Sequence, residues 1–178
     1  MKQEELIRKL REFKNNNINY FKHKNNINDN FFILNYRKYN LQETKIYDDI
    51  KMKFPIDFLE IDNNWYNKIF KADFIFSNKN KDIIFLFKIY NVDIFLLKQD
   101  IINEIKSVYN KVIVNDELIT LKEEKIHLLT FYYGIKIYKL YFLNLKDKIL
   151  VFNVIYEKYE HKQLKDILNQ IAFTIKKV

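Results

Sequence analysis

The 178-residue chain predicts an α+β fold, an antiparallel sheet flanked by helices. Three observations lead there. The stretch "KIHLLTFYYGIKIYKLYFLNLKDKILVFNVIYEKY" (residues 125–159) reads as three β-rich runs separated by tight turns, one at the chain's single glycine, Gly134. Residues 72–90, "ADFIFSNKNKDIIFLFKIY", read as a hairpin turning at Ser77-Asn78-Lys79-Asn80. Apolar stripes at helical spacing occur in "DIFLLKQDIINEIKSVYNKV" and "EHKQLKDILNQIAFTI". Strands joined by short turns run antiparallel, and helices interleaved with them give an α+β layout.

The elements follow in order. "QEELIRKLREFK" places Leu6, Ile7, Leu10 and Phe13 on one helical stripe. At about twelve residues such a helix is marginal alone and must dock on something. Asn15 to Asn30 is low in complexity and rich in turn formers, a linker or long loop. The domain reading is therefore 1–30 as N-terminal helix and Asn-rich linker, and 31–178 as a single α+β domain. "FFILNYRKY" (residues 31–39) reads as one strand. "DIKMKF" alternates Ile50, Met52 and Phe54 with Lys51 and Lys53, a half-buried edge strand ended by Pro55. "IDFLEIDNNWYNKIF" (residues 56–70) is ambiguous between irregular chain and a short helix. In the first strong helix Ile94, Leu97, Ile101, Ile105 and Val108 form the stripe, with Asp93 as N-cap. "KVIVNDELITL" reads as a short strand pair. The last helix carries Leu164, Ile167, Leu168, Ile171 and Ile175.

Composition excludes several function classes. The absence of cysteine removes disulfides and thiolate chemistry. With one glycine there is neither a P-loop nor G-x-G-x-x-G, and Ser77 and Ser107, the only serines, lie outside G-x-S-x-G. His23, His127 and His161 show no metal-ligand spacing. His127 reads as a hydrogen-bonded structural residue, and His161, near Glu157 and Glu160, as a solvated helix end. The carboxylate pairs Asp48-Asp49 and Glu123-Glu124 point to opposite strand faces and read as solvated turn charges. The expectation is a non-enzyme with no metal or cofactor. The first residues lack an apolar leader, and no apolar run approaches the roughly 20 residues of a membrane helix, so a cytoplasmic protein without a span is expected.

The net charge is +8, but the lysines are scattered and arginine occurs only at positions 8, 11 and 37. The abundance of Lys, Asn, Ile, Phe and Tyr matches AT-rich codons, which accounts for the basic balance without a nucleic-acid partner. A basic nucleic-acid binder using Lys14, Lys22, Lys24, Arg37 and Lys38 stands as an alternative.

The last meander strand alternates Ile149, Val151, Asn153, Ile155 with Leu150, Phe152, Val154, Tyr156, so both faces need cover. A five-stranded sheet is about 24 Å wide at about 4.8 Å per strand. A helix covers about 10 Å, so full cover takes about four helices and the chain offers two or three. The 56–70 segment, loops and the N-terminal region, a homodimer, or a hydrophobic partner segment could fill the deficit. Phe131, Tyr133, Tyr138 and Tyr141 are the candidate partner-binding residues, with core packing as the other reading. Trp65, with Tyr66 and Phe70, reads as an exposed aromatic anchor or a core plug.

From Thr44 onward the chain resembles the PsbP-like superfamily. The opening strand ends in proline in "IKMKFPIDF", and an "ADFIFS…DIIFLFKIY" hairpin precedes a helix. "HLLTFYYGIKIYKLYFL" and "KILVFNVIYE" follow, and a helix closes in "DILNQIAFTI". Phe58 stands where many relatives carry tryptophan, and their extra glycines are missing. The resemblance implies an α/β/α sandwich around an antiparallel sheet. It also implies protein binding, since members include photosystem accessory subunits, a nuclear import factor and chaperones of type VI secretion effectors, the last being nearest in kind. The implied function is a non-catalytic module binding another protein or a hydrophobic helix, as adaptor or effector chaperone, with a toxin-neutralising immunity protein as a further alternative.

Overall fold

The computed structural model describes residues 27–34, 37–62, 70–121 and 123–178. A 3₁₀ turn (Ile27–Asp29) leads into β1 (Phe31–Leu34), β2 (Arg37–Tyr47), β3 (Ile50–Pro55) and β4 (Leu59–Glu60). The hairpin strands β5 (Phe74–Ser77) and β6 (Ile83–Tyr90) precede helix α1 (Ile94–Val108). The meander β7 (Val114–Leu121), β8 (Glu124–Tyr133), β9 (Lys136–Asn144) and β10 (Ile149–Glu157) then runs through a 3₁₀ turn into helix α2 (His161–Ala172), and β11 (Lys176–Lys177) ends the chain.

Local chemistry explains the boundaries. The Asp93 carboxylate caps α1 by accepting from the backbone N–H groups of Phe95 and Leu96. Asn78 closes the β5–β6 turn by accepting from the N–H groups of Asp82 and Ile83. Gly134 opens the two-residue β8–β9 turn at φ +59°, the left-handed region that a hairpin turn asks of its first central residue.

The described residues form two antiparallel sheets, with strand orders β1-β2-β3-β11 and β4-β5-β6-β10-β9-β8-β7. Between β6 and β7 the chain must cross three intervening strands, about 19 Å at about 4.8 Å per spacing. Helix α1 matches that span, with 15 residues rising about 22 Å.

The large sheet is apolar on both faces, as the meander predicts. One face meets α1: Leu97, Ile101, Ile105 and Tyr109 pack on Ile84, Leu86, Leu129, Phe131 and Leu140. The other meets the small sheet and α2. Phe54 and Phe58 lie 5.5 and 5.0 Å from Phe85, whose ring abuts Phe152 at 5.3 Å, while Leu164, Ile167 and Ile171 of α2 close the remainder.

Among the described residues the structure is mostly antiparallel sheet with two helices, which corrects the expected sheet flanked by helices, and a second sheet supplies the cover assigned to missing helices. The strand expected over 31–39 is instead β1 and the start of β2, paired antiparallel with Leu34 opposite Arg37. β3 is internal to its sheet, between β2 and β11. Residues 114–121 form one strand, not two. Of the 56–70 segment, Ile61 and Phe70 pack against the α1-side core. The expected N-terminal helix and most of the Asn-rich linker lie outside the described residues.

Candidate binding site at one end of the sheet

Helix α2 packs its apolar stripe inward and presents His161, Lys165 and Asn169, spaced four apart, along one side. Beneath that side the large sheet carries a polar row that interrupts an otherwise apolar face. Asn115 of β7 stands opposite Thr130 of β8, which stands opposite Lys139 of β9. Between helix and row lies a cleft of about 510 Å³, lined by Asn115, Glu117, Thr130, Tyr132, Lys139, His161 and Lys165.

Lys139 is 1% exposed. Its Nζ donates to Asn169 Oδ1 at 3.1 Å, and the Tyr141 hydroxyl donates to the same oxygen at 2.8 Å. No described carboxylate forms an ion pair with it. Burial draws its pKa down to about 8, Glu117 and Asp166 oppose that shift, and Lys165 adds to it. The His161 imidazole is held below its ordinary value by burial and then by Lys139 and Lys165, so it is neutral at pH 7. Its Nδ1 lies 2.8 Å from the Tyr156 hydroxyl. With that hydroxyl donating to Nδ1, Nε2 carries the ring proton and is a donor. The buried Thr130 Oγ1 has no hydrogen-bond partner among the described residues.

Beside the cleft, across Tyr132 and His161, lies a second hollow of about 450 Å³ that also touches Ile137, Lys158, Tyr159 and Lys162. Its surroundings are apolar and open to solvent. Tyr132, Tyr133, Ile135 and Tyr159 are all exposed, and the Lys158 N–H donates to Ile135 O at 2.7 Å, holding the 3₁₀ turn against the hairpin tip. Tyr133 leans on Tyr109 at 4.4 Å between ring centroids. Tyr132 and Tyr159 thus border the polar cleft on the α2 face, while Tyr133 and Ile135 extend the exposed apolar surface around the hairpin tip toward α1.

The residues named from sequence divide accordingly. Phe131 and Tyr141 are 0% exposed and Tyr138 is buried. Phe131 and Tyr138 stack at 4.5 Å beneath α1, and Tyr141 packs on Phe152 at 5.5 Å. Assigning these three to a partner surface is corrected, because both faces of their strands are covered within the protomer. Tyr133, 52% exposed, is the one that reaches solvent. Trp65, Lys14, Lys22 and Lys24 lie outside the described residues. Arg37 pairs with Asp57 at 3.8 Å and Lys38 sits over the Phe31 ring. His127 contacts Lys98 at 3.3 Å, as a structural histidine would, whereas His161 lines the cleft and is no solvated helix end. Sequence reading missed Lys139, Thr130 and Lys165. The available signal was a lysine midway along "IKIYKLYFL", a run apolar on both faces.

No protein-family model matches the sequence, and no curated protein is similar to it by sequence. Solved structures do match in shape. The cyanobacterial PsbP protein CyanoP of Synechocystis sp. PCC 6803 superposes with a TM-score of 0.61 at 11% identity, covering 78% of this chain and 92% of that one. A point mutant of the protein Mog1 superposes at 0.50 and 11% identity, over 76% and 95%. The Ran-binding protein Mog1p of Saccharomyces cerevisiae gives 0.49 at 11% identity, over 77% and 95%. The chain therefore has a PsbP-like fold.

Proposed function

We propose that the protein is a non-catalytic, cytoplasmic module that binds another polypeptide through the rim of Tyr132, Tyr133, Ile135 and Tyr159. The observation that supports this is the gathering of these exposed side chains around the β8–β9 hairpin tip, with Tyr132 and Tyr159 at the hollow beside the polar cleft and Tyr133 on the α1 face. Tyrosines combine large apolar area with a polar tip and few rotamers to freeze, which is why they anchor protein interfaces. The sequence adds no nucleophile motif, phosphate loop or metal-ligand spacing that would argue for an enzyme. An adaptor, an effector chaperone and a toxin-neutralising protein differ at this level only in the partner they hold.

The test is co-expression with the products of neighbouring genes, comparing the native protein with a Tyr133→Ser/Ile135→Asp/Tyr159→Ser variant. A partner that co-elutes with the native protein and is lost by the variant, at an unchanged unfolding midpoint, supports the reading. Equal retention by both proteins removes the rim as the interface, and no co-eluting partner removes the reading.

A further inference from the structure

A lysine in an apolar interior is expensive to keep charged, and natural proteins place one there only with a partner or a task. Lys139 has three N–H donors, and among the described residues only Asn169 accepts from it. Lys165, one helical turn before Asn169, makes no ion pair with a described residue. Thr130 Oγ1 is buried, lines the same space and has no hydrogen-bond partner among the described residues. Three donor groups therefore converge on one cleft in which, among the described residues, Asn169 alone accepts a bond from any of them.

We propose that this cleft is a carboxylate-binding site in which Lys139, Lys165 and Thr130 receive the anion. This rests on the proposed function for the carboxylate's source, an acidic side chain of the partner docked on the adjoining rim. The charge of the lining favours a single negative charge over a phosphate dianion. Two lysines face Glu117, while Asp116 is tied to Lys98 at 2.7 Å and the His161 ring is neutral. A planar carboxylate accepts from several donors at once, and such charge-assisted bonds are the strong ones. Tyr132 borders both the cleft and the apolar hollow, so one short segment with an acidic and an aromatic residue reaches both.

The test titrates acetate, inorganic phosphate and two capped peptides, Ac-Phe-Leu-Glu-Phe-NH₂ and its Gln counterpart, into the full chain at pH 7 and low salt, following amide NMR signals at constant ionic strength. Acetate is expected to shift the signals of Thr130, Lys139 and Lys165 saturably and more tightly than phosphate, and the Glu peptide more tightly than its Gln counterpart. Lys139→Met should weaken acetate binding about tenfold or more, and Glu117→Gln should tighten it. No saturable shift, phosphate binding tighter than acetate, or a shift that survives Lys139→Met would overturn the proposal. The rim variant separates the two readings. If it keeps acetate binding while no polypeptide binds the native protein, the cleft stands and the proposed function fails. If a partner binds through the rim while acetate does not bind, the reverse holds.

Discussion

Methionine in place of Lys139 keeps most of the side chain's length and volume while removing its charge. The structure gives the size of the effect. A lysine brought from its ordinary 10.5 to about 8 by burial disfavours folding of the charged form by about 3 kcal/mol, at about 1.4 kcal/mol per pH unit. Against this stands the lost hydrogen bond to Asn169, about 1 kcal/mol net; its Oδ1 still accepts from Tyr141. The variant should therefore be more stable than the native protein by about 2 kcal/mol at pH 7, raising a urea midpoint by about 1 M. The pH dependence fixes the cause. Between pH 8 and 10.5 the unfolded chain holds a proton that folded Lys139 has released, so the native protein gains stability as pH rises through that window. At pH 9.5 the difference should fall below about 0.5 kcal/mol. Tyrosine ionisation affects both proteins equally and cancels in the comparison. A variant less stable than native at pH 7, or a gap that does not narrow with pH, would refute the reasoning.

Other perturbations follow from single environments. Asn153 is buried with neither amide atom bonded among the described residues, beside a small cavity of about 20 Å³; Asn153→Leu should raise stability by about 1 kcal/mol, read as a higher thermal midpoint. Asp93→Ala removes the α1 cap and should lower stability by about 1 kcal/mol, with faster amide exchange in the first turn. Gly134→Ala meets no atom within 4 Å, yet φ +59° should make it lose about 1 kcal/mol in urea unfolding. Phe152→Ala, at the centre of the stacked rings, should lose about 3–5 kcal/mol and leave little folded protein at 37 °C.

The large sheet and both helices were legible because their signals are local: apolar alternation, a lone glycine at a hairpin tip, an aspartate before an apolar stripe. The small sheet was not, and β2 shows why. Tyr39 and Leu41 face the core at odd positions, but the irregularity between Lys45 and Tyr47 moves the inward side to Ile46. A bulge that flips parity erases the period-two pattern. β11 is two lysines recruited from the chain's end to pair with β3, a contact no local rule anticipates. For the site, alternation correctly says that Phe131 and Tyr133 share a face. Whether they meet solvent depends on distance from the strand end, and only Tyr133 lies beyond the reach of the layers above. The cover that the helices are too few to give comes from the small sheet, packed on the face that α1 leaves open.

The placement of β10 between β6 and β9 shapes how the chain must be born. β5 and β6 leave the ribosome early, and "IIFLFKIY" shows its outer edge until β10, which begins at Ile149, arrives to pair with it. The meander from β7 to β10 can zip locally in the meantime, but joining the halves waits for a long-range closure, the slow kind. Through that interval the nascent chain carries an open, greasy ribbon of the type that seeds self-association. Synthesis rate and chaperone supply should thus govern the yield of this protein more than its final stability does.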